Sequence, residues 1–417
     1  MTVLVIGGGG RCHAIVDSLN ASTKVDKIYC APGNAGIAQI ATCVNIRETE
    51  VEKIVEFAKL HSIDLVVVGP EVALAAGVVD ALTSEGILAF GPTRAAAQIE
   101  SSKEFAKELM KRHNIPTAAF ATFTDYEAAM DYVRAGSLPT VLKYDGLAAG
   151  KGVVIAQSME EADKALRDML LDAKFGEGKV VIEEFLDGPE FSFMCFVAGD
   201  KVYPMAIAQD HKRAYDGDMG PNTGGMGAYS PVPFITDEDT QYALEQVMRP
   251  TAAAMVEEGT PFSGVLYGGL IKSTSGIKVI EFNARFGDPE TEVVLPRLKS
   301  DIYDIFCSIA RAEEPLIEWH DFVTLGVVLA SKGYPSEYEK GHVITGLKSV
   351  DSKVYHMGTA LKDDEIVTAG GRVLFVVGKG ATLEEARAKA LLDIKKIECD
   401  NLFYRTDIGH RAIKVVL

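Results

Sequence analysis

Three side chains within five residues carry the strongest chemical signal in this 417-residue sequence: Glu281, Asn283 and Arg285, separated by Phe282 and Ala284. In an extended strand, residues i and i+2 share a face, so the three polar groups point one way while Phe282 points into a core. One carboxylate and one amide oxygen make a hard donor pair, suited to Mg²⁺ or Mn²⁺ and not to zinc. Waters and substrate phosphates would complete the shell. Arg285, next along the face, can neutralise charge that develops on a phosphoryl group in transfer. A solvated polar face would give the same spacing with no chemistry.

Two glycine loops could hold phosphate. Gly7-Gly8-Gly9-Gly10-Arg11 follows the apolar run Val3-Leu4-Val5-Ile6 and opens a helix, where free backbone N–H groups and the helix dipole attract an anion. Arg11 would add a charge-assisted contact. A tight turn without ligand fits the same residues. A nicotinamide dinucleotide fits poorly: Cys12 replaces the third glycine of the fingerprint, and Tyr29-Cys30-Ala31-Pro32 offers no acid after the second strand. The second loop is Gly146-Leu147-Ala148-Ala149-Gly150-Lys151-Gly152. It has three residues between Gly146 and Gly150 where a P-loop has four, and Gly152 stands in place of a hydroxyl residue. Between two strands it reads either as a hairpin whose lysine closes over nucleotide phosphates, or as a plain surface hairpin.

The eight histidines show no H-E-x-x-H spacing, and only His211, inside Asp210-His211-Lys212-Arg213, sits among other reactive groups. Thr223-Gly224-Gly225-Met226-Gly227 follows, where the backbone could approach a small substrate closely or simply form a loop. Pro289, after Gly287-Asp288, marks a rigid turn.

The elements that must position these groups alternate strand and helix over the first hundred residues, which implies a parallel sheet covered on both faces. Within it, Thr49 and Glu52 predict a capping box before a helix, residues 73–84 a single helix, and 87–90 a strand. The middle of the chain reads as α+β. A helix is expected over 102–113, strand–turn–strand over 140–155, a helix capped by Ser158 and Glu161, and a strand over 180–185. Antiparallel pairs are expected at 191–197 with 202–208 and at 265–271 with 278–282. From about 322 a third unit carries strands near 324–329 and 372–377 and a helix opened by Thr382 and Glu385. No repeat or low-complexity segment interrupts the pattern.

Composition narrows the class. With 42 basic and 59 acidic residues the formal charge is −17, which disfavours nucleic acid or an acidic membrane as a general partner. No apolar run approaches the ~18 residues of a membrane span, and the start lacks the basic region of a signal peptide. Six scattered cysteines without a C-x-x-C pair read as reduced thiols, so a cytoplasmic enzyme is the expectation.

Together these residues resemble the phosphoribosylamine–glycine ligase family, ATP-grasp enzymes of purine biosynthesis. The resemblance runs along essentially the whole chain. Its most diagnostic block is Arg285-Phe286-Gly287-Asp288-Pro289-Glu290-Thr291-Glu292, with further matching blocks at 143–154, 181–186 and 209–231. It implies an N-terminal Rossmann-like α/β domain (1–101) that binds a sugar phosphate, and a two-lobed ATP-grasp module (102–321) whose small lobe, about 120–187, carries the phosphate-covering loop. A small C-terminal α/β domain (322–417) would follow. The implied reaction joins glycine to 5-phosphoribosylamine with ATP, through glycyl phosphate, giving glycinamide ribonucleotide, ADP and phosphate.

By the same resemblance, Lys103 and Lys143 would contact the nucleotide phosphates and Gly150, Lys151 and Gly152 would close over them. Backbone from Glu183 through Phe185 and Leu186 would read adenine, and Glu190 would hold the ribose. Glu281 and Asn283 would bind Mg²⁺ or Mn²⁺, and Gly9, Gly10 and Arg11 the sugar phosphate. Asp210, Lys212, Gly224, Gly225 and Arg285 would serve glycine and its acyl phosphate and Asp288 would bind substrate, with Arg285, Lys151, Asp210 and Lys212 catalytic. The chain is expected to act as a monomer, in transient contact with the amidophosphoribosyltransferase upstream.

Three positions depart from the family pattern: Cys12 where glutamate is usual, Pro189 in place of a glutamate, and the stretch 73–76. Cys12 removes a carboxylate beside the glycine loop, so altered affinity for the sugar amine is expected. Another ATP-grasp carboxylate–amine ligase would share the nucleotide site without the 285–292 block. A silent nucleotide-binding regulator would not be expected to keep Lys143, Lys151, Glu281, Asn283 and Arg285.

Overall fold

Leu65–Val68 is apolar without alternation, as a strand covered on both faces must be, and all four residues are buried in the computed structural model of the protein. The structure describes residues 1–146, 152–172, 174, 176 and 178–415. The strand belongs to a five-stranded parallel sheet in the order Thr42–Cys43, Lys27–Pro32, Thr2–Gly7, Leu65–Val68, Ala89–Phe90. Strand order reverses where Thr2–Gly7 meets Leu65–Val68. A crevice opens beyond the carboxyl ends of strands at such a switch point. The glycine loop leaves one of these two strands and Gly69-Pro70-Glu71 leaves the other, so Arg11 and Glu71 face each other across it.

Two antiparallel lobes follow. The smaller has the order Phe120–Phe123, Val180–Glu184, Thr140–Tyr144, Val153–Ala156. Its helices start where side chains cap them: Asp125 accepts from Ala128 N at 2.8 Å and Ser158 from Glu161 N at 3.2 Å. It keeps its own core, built around Tyr126, Met130, Leu142 and Ile182. The larger lobe has the order Lys201–Pro204, Glu190–Ala198, Ser263–Ser273, Gly276–Asn283.

Register in the last pair shifts by one residue. Gly269 pairs with Glu281 while Leu270 pairs with Val279, leaving Ile280 as the extra residue of a bulge. Before it, Ile277 and Val279 are buried; after it, Phe282 and Ala284 are. The bulge therefore flips the alternation and turns Glu281, Asn283 and Arg285 toward the cleft.

The last antiparallel sheet crosses the middle of the chain. Gln209–Asp210 pairs with Gly227–Ser230, which pairs with Val323–Ser331, which pairs in turn with Arg372–Gly380. Thr382 caps the helix Leu383–Ile394 that covers it, as its spacing to Glu385 suggests. Among the described residues no helix is long and apolar enough to cross a membrane.

Local expectations fail where a competing contact wins. The helix Val51–Leu60 starts after Glu50 with no side-chain cap, because Glu50 turns to Arg47 N and Lys53 instead. The helix expected over 73–84 is two, Glu71–Ala75 and Val78–Ser84, broken at Gly77 with φ +86°. The strand at 87–90 shortens to Ala89–Phe90.

Phe90, Phe196, Phe286 and Phe306 join the N-terminal sheet to the larger lobe, with Phe90 and Phe306 centroids 4.3 Å apart. Phe306 is fully buried, so Phe306→Ala is expected to cost about 3–5 kcal/mol in urea unfolding.

Candidate functional site

Gly9 is the N-cap of Gly10–Asn20 and has no side chain to cap the first turn, where the Asp288 carboxylate meets one of the N–H groups. Arg11 crosses the crevice: its Nη1 lies 3.5 Å from Glu71 Oε2 and donates to Gly69 O, and its Nε lies 3.6 Å from Asp288 Oδ2. Asp288 also accepts from Arg11 N at 3.3 Å and pairs with Arg372 Nη2 at 2.9 Å. Arg372 Nη1 donates to Gly224 O and Asp288 O, which ties the 223–227 loop to the block after Arg285. Gly225 has φ +115°, and a Cβ there would meet Pro289 Cδ at 2.6 Å, so this close approach needs glycine.

Cys12 does not line the crevice. Its thiol is packed beneath the loop, 2.4 Å from where a Cβ on Gly7 would sit and 2.5 Å from one on Gly69, and burial pushes it up to about 12. Position 12 therefore acts on the site through the shape of the loop.

On the other wall, Arg285 Nε lies 3.2 Å from Glu71 Oε2, its Nη2 lies 2.8 Å from Glu100 Oε1, and Nη2 reaches Asn283 Oδ1 at 3.4 Å. Glu100 also accepts from Ala284 N at 2.7 Å. Burial raises the Glu100 carboxyl even with Arg285 beside it. Burial would likewise raise Glu281, but Lys212, Lys143, Lys103 and Arg285 face it and hold it below the ordinary range. Glu281 is therefore an ionised oxygen donor.

Lys143 reaches this strand through the bulge: its Nζ donates to Ile280 O at 2.9 Å and pairs with Glu183 Oε1 at 2.8 Å. Glu183 Oε2 pairs at 2.8 Å with the buried Lys107, which burial lowers to about 8. Lys103 donates from Nζ to Gly146 O at 3.0 Å, and burial lowers it. Lys212 pairs with Glu190 at 2.8 Å. Burial raises Asp210 to about 7 against the pull of Lys212, with Glu290 and Glu190 adding to the rise. Glu290 is itself buried and accepts from Ser192 Oγ and Tyr267 OH, each at 2.9 Å.

Glu281, Asn283, Arg285, Lys103, Lys143, Lys212, Glu190, Asp210, Arg11 and Asp288 are thus linked into one charged cluster that spans the walls of the cleft. Gly150 and Lys151 lie outside the described residues; Gly152 closes the hairpin by accepting from Tyr144 N at 2.7 Å. Glu183 spends its side chain on two lysines, Phe185 is exposed, and Leu186 is half-buried. His211 belongs to the fold: it is fully buried and its Nε2 accepts from Gly409 N. Sequence reading missed Glu71, Glu100, Lys107, Glu290 and Arg372. Glu71, after Gly69-Pro70 at a strand end, and Glu290, inside the 285–292 block, carried a positional signal.

A parallel N-terminal sheet, two antiparallel lobes around a lysine-lined cleft and a sheet closing the far side define an ATP-grasp protein. Solved structures at low identity share that fold. The biotin carboxylase of Campylobacter jejuni, 14% identical, aligns with TM-score 0.74 over 97% of this chain and 92% of its own.

Nearer relatives fix the family. The chain matches the phosphoribosylglycinamide synthetase N domain over residues 1–100, its ATP-grasp (A) domain over 101–291 and its C domain over 324–411. It is similar to the phosphoribosylamine–glycine ligase of Halalkalibacterium halodurans, 53% identical over 99% of this chain and 97% of that protein. That of Listeria innocua is also 53% identical, over 99% of this chain and 100% of its own. The crystal structure of the Thermotoga maritima phosphoribosylamine–glycine ligase is 35% identical, with TM-score 0.87 over 98% of this chain and 100% of its own. The chain belongs to the phosphoribosylglycinamide synthetase family.

Glu71 gives a test of the crevice electrostatics. Burial alone would raise its carboxyl, but Arg285 and Arg11 lower it from 4.5 to about 2. A depressed carboxylate stabilises the fold above its unfolded value and loses that contribution as pH falls through its folded one. The stability difference between the protein and Glu71→Gln, followed by urea unfolding, should therefore be full above pH 4.5 and shrink toward pH 2.

Proposed function

We propose that this chain ligates glycine to 5-phosphoribosylamine at the expense of ATP. The observation that carries the reading is the Glu71 carboxylate shared between Arg11 and Arg285, which brings the glycine loop beside the strand suited to phosphoryl transfer. The names of relatives that align over nearly the full chain support the substrate choice. They favour glycine and phosphoribosylamine over the substrates of other ATP-grasp ligases.

In this reading a glycine carboxylate oxygen attacks the γ-phosphorus of ATP and ADP leaves. The nitrogen of phosphoribosylamine then attacks the glycyl phosphate carbonyl carbon, and phosphate departs with the bridging oxygen. Lys103 and Lys143 hold the nucleotide phosphates, and Lys151 covers them. Arg285 and Lys212 meet the charge that builds on the transferred phosphoryl group. Asp210 faces the ammonium of glycine. Gly9, Gly10 and Arg11 hold the sugar phosphate, with Asp288 keeping Arg11 aimed. Gly224 and Gly225 bring backbone close to the amino acid.

A divalent cation fits Glu281 and Asn283. Among the described residues no group of three or more His, Cys, Asp or Glu gathers into a metal cluster, so phosphate and water would complete its shell. Mg²⁺ or Mn²⁺, when bound there, supplies charge neutralisation for the phosphates. Six free thiols, four of them buried, suit a cytoplasmic setting.

ADP release should require both glycine and phosphoribosylamine (formed in place from ribose 5-phosphate and ammonia). Release with a different acid or amine would overturn the substrate assignment. At sub-saturating glycine, activity should rise through pH 7 as Asp210 ionises, and Asp210→Asn should remove that limb.

A further inference from the structure

The loop that carries Asp210 and Lys212 is short of support from its own sheet. Gln209–Asp210 makes only the two register pairs Gln209↔Tyr229 and Asp210↔Ala228. Lys212 leads straight into a hairpin, Arg213–Tyr215 with Met219–Asn222, whose register is irregular. Much of what holds this segment comes from nearly two hundred residues away.

Arg405 is a fully buried arginine. It donates from Nη1 to Arg213 O at 2.9 Å, from Nη2 to Asp218 Oδ1 at 3.1 Å, and from Nε to Asp407 Oδ1 at 2.8 Å. Asp407 Oδ2 accepts from Gly217 N at 2.8 Å, so both sides of the hairpin turn are gripped. Arg411 Nη2 reaches Asp218 Oδ2 at 2.7 Å, and His410 Nε2 lies 3.4 Å from the same oxygen. Thr406 donates its N–H and its hydroxyl to Asp216 at 2.8 and 2.6 Å. Gly409 N donates to His211 Nε2 at 3.1 Å, between the two active-site residues. The His211 ring is buried between Tyr229 and His410, with Nδ1 3.8 Å from Asp218 Oδ1. Its backbone joins the same frame: His211 N donates to Gly227 O, Met226 N to His211 O, and Thr223 N to Lys212 O.

We propose that the segment from Arg405 to Arg411 is a positioning device for the ligation site, which through Asp218 and His211 fixes where Asp210 and Lys212 stand toward glycine. The inference rests on the proposed function for the role of those two residues. None of Arg405, Asp218 or His211 touches a reacting atom; each acts through the loop it holds. A buried arginine shared between two carboxylates and a carbonyl tolerates little displacement, because moving it strands charge in a dry interior. That rigidity is what a site working by positioning requires, since small misplacements cost large factors in rate.

The test compares the full-length protein with Asp218→Asn and Arg411→Met. The expected result for Asp218→Asn is at least a tenfold loss in kcat/KM for glycine, with ADP affinity by direct titration within twofold of the parent. Amide exchange at His211, Thr223 and Met226 should become at least tenfold faster, while Val5 and Val67 in the N-terminal sheet stay unchanged. Arg411→Met, at a partly exposed side chain, should show the same pattern with a smaller amplitude, and it carries the test if Asp218→Asn does not fold. Unchanged glycine kinetics and exchange in either folded variant would overturn the proposal. So would parallel loss of ADP affinity, the mark of a general structural role. Amide exchange does not depend on turnover, so a parent enzyme that failed to use glycine would contradict the proposed function while exchange still decided this inference.

Discussion

One carboxylate oxygen, Glu71 Oε2, lies within 3.5 Å of Arg11 and 3.2 Å of Arg285. The rest of the site depends on such sharing. Lys103, Lys143, Lys212, Arg11, Arg285 and Arg372 converge on one cleft in a chain of net charge −17. Two like charges about 4 Å apart repel by roughly 4 kcal/mol at an effective dielectric of about 20, so the cations cannot stand there unaccompanied. Glu71, Glu100, Asp288, Glu281, Glu183 and Glu190 interleave with them. The result is a cleft that gathers many cations yet balances them with carboxylates before any phosphate arrives.

The interleaving also joins the parts of the chain. Glu71 comes from the parallel sheet and Arg285 from the larger lobe, while Asp288 binds both Arg11 and, through Arg372, the C-terminal sheet. Lys107, Glu183 and Lys143 run from the helix Lys103–Arg112 across the small lobe to the carbonyl that the Ile280 bulge leaves free. Substrates that bind one wall therefore meet side chains already held in place by the other two. Catalysis of this kind is positioning and charge neutralisation, and it asks for rigid support.

Much of this was legible in the sequence where the signal is local. Period-two spacing placed Glu281, Asn283 and Arg285 on one face, and the glycine run after Val3-Leu4-Val5-Ile6 marked a helix N-terminus. The bulge was not legible: nothing in Val279-Ile280-Glu281 announces an extra residue, and without it the alternation set by Ile277 and Val279 would turn Glu281 into the core. Lys107 read as an ordinary position of an amphipathic helix and Glu100 carried no signal, because their partners Glu183 and Arg285 lie 76 and 185 residues away. The capping box expected at Thr49 failed for a similar reason, since Glu50 had better partners in Arg47 and Lys53. Asp218 lies within the 209–231 block, yet nothing there or around Arg405 announces their pairing; only the fold brings them together.

The claim on which everything above converges is that a glycine carboxylate is phosphorylated here. The most direct test supplies glycine labelled with ¹⁸O in both carboxylate oxygens, together with ATP and phosphoribosylamine, and follows the label by mass spectrometry. The expected result is one ¹⁸O in each phosphate released, because the bridging oxygen of glycyl phosphate leaves with phosphorus. Ligation with both labelled oxygens kept out of the phosphate would contradict the account.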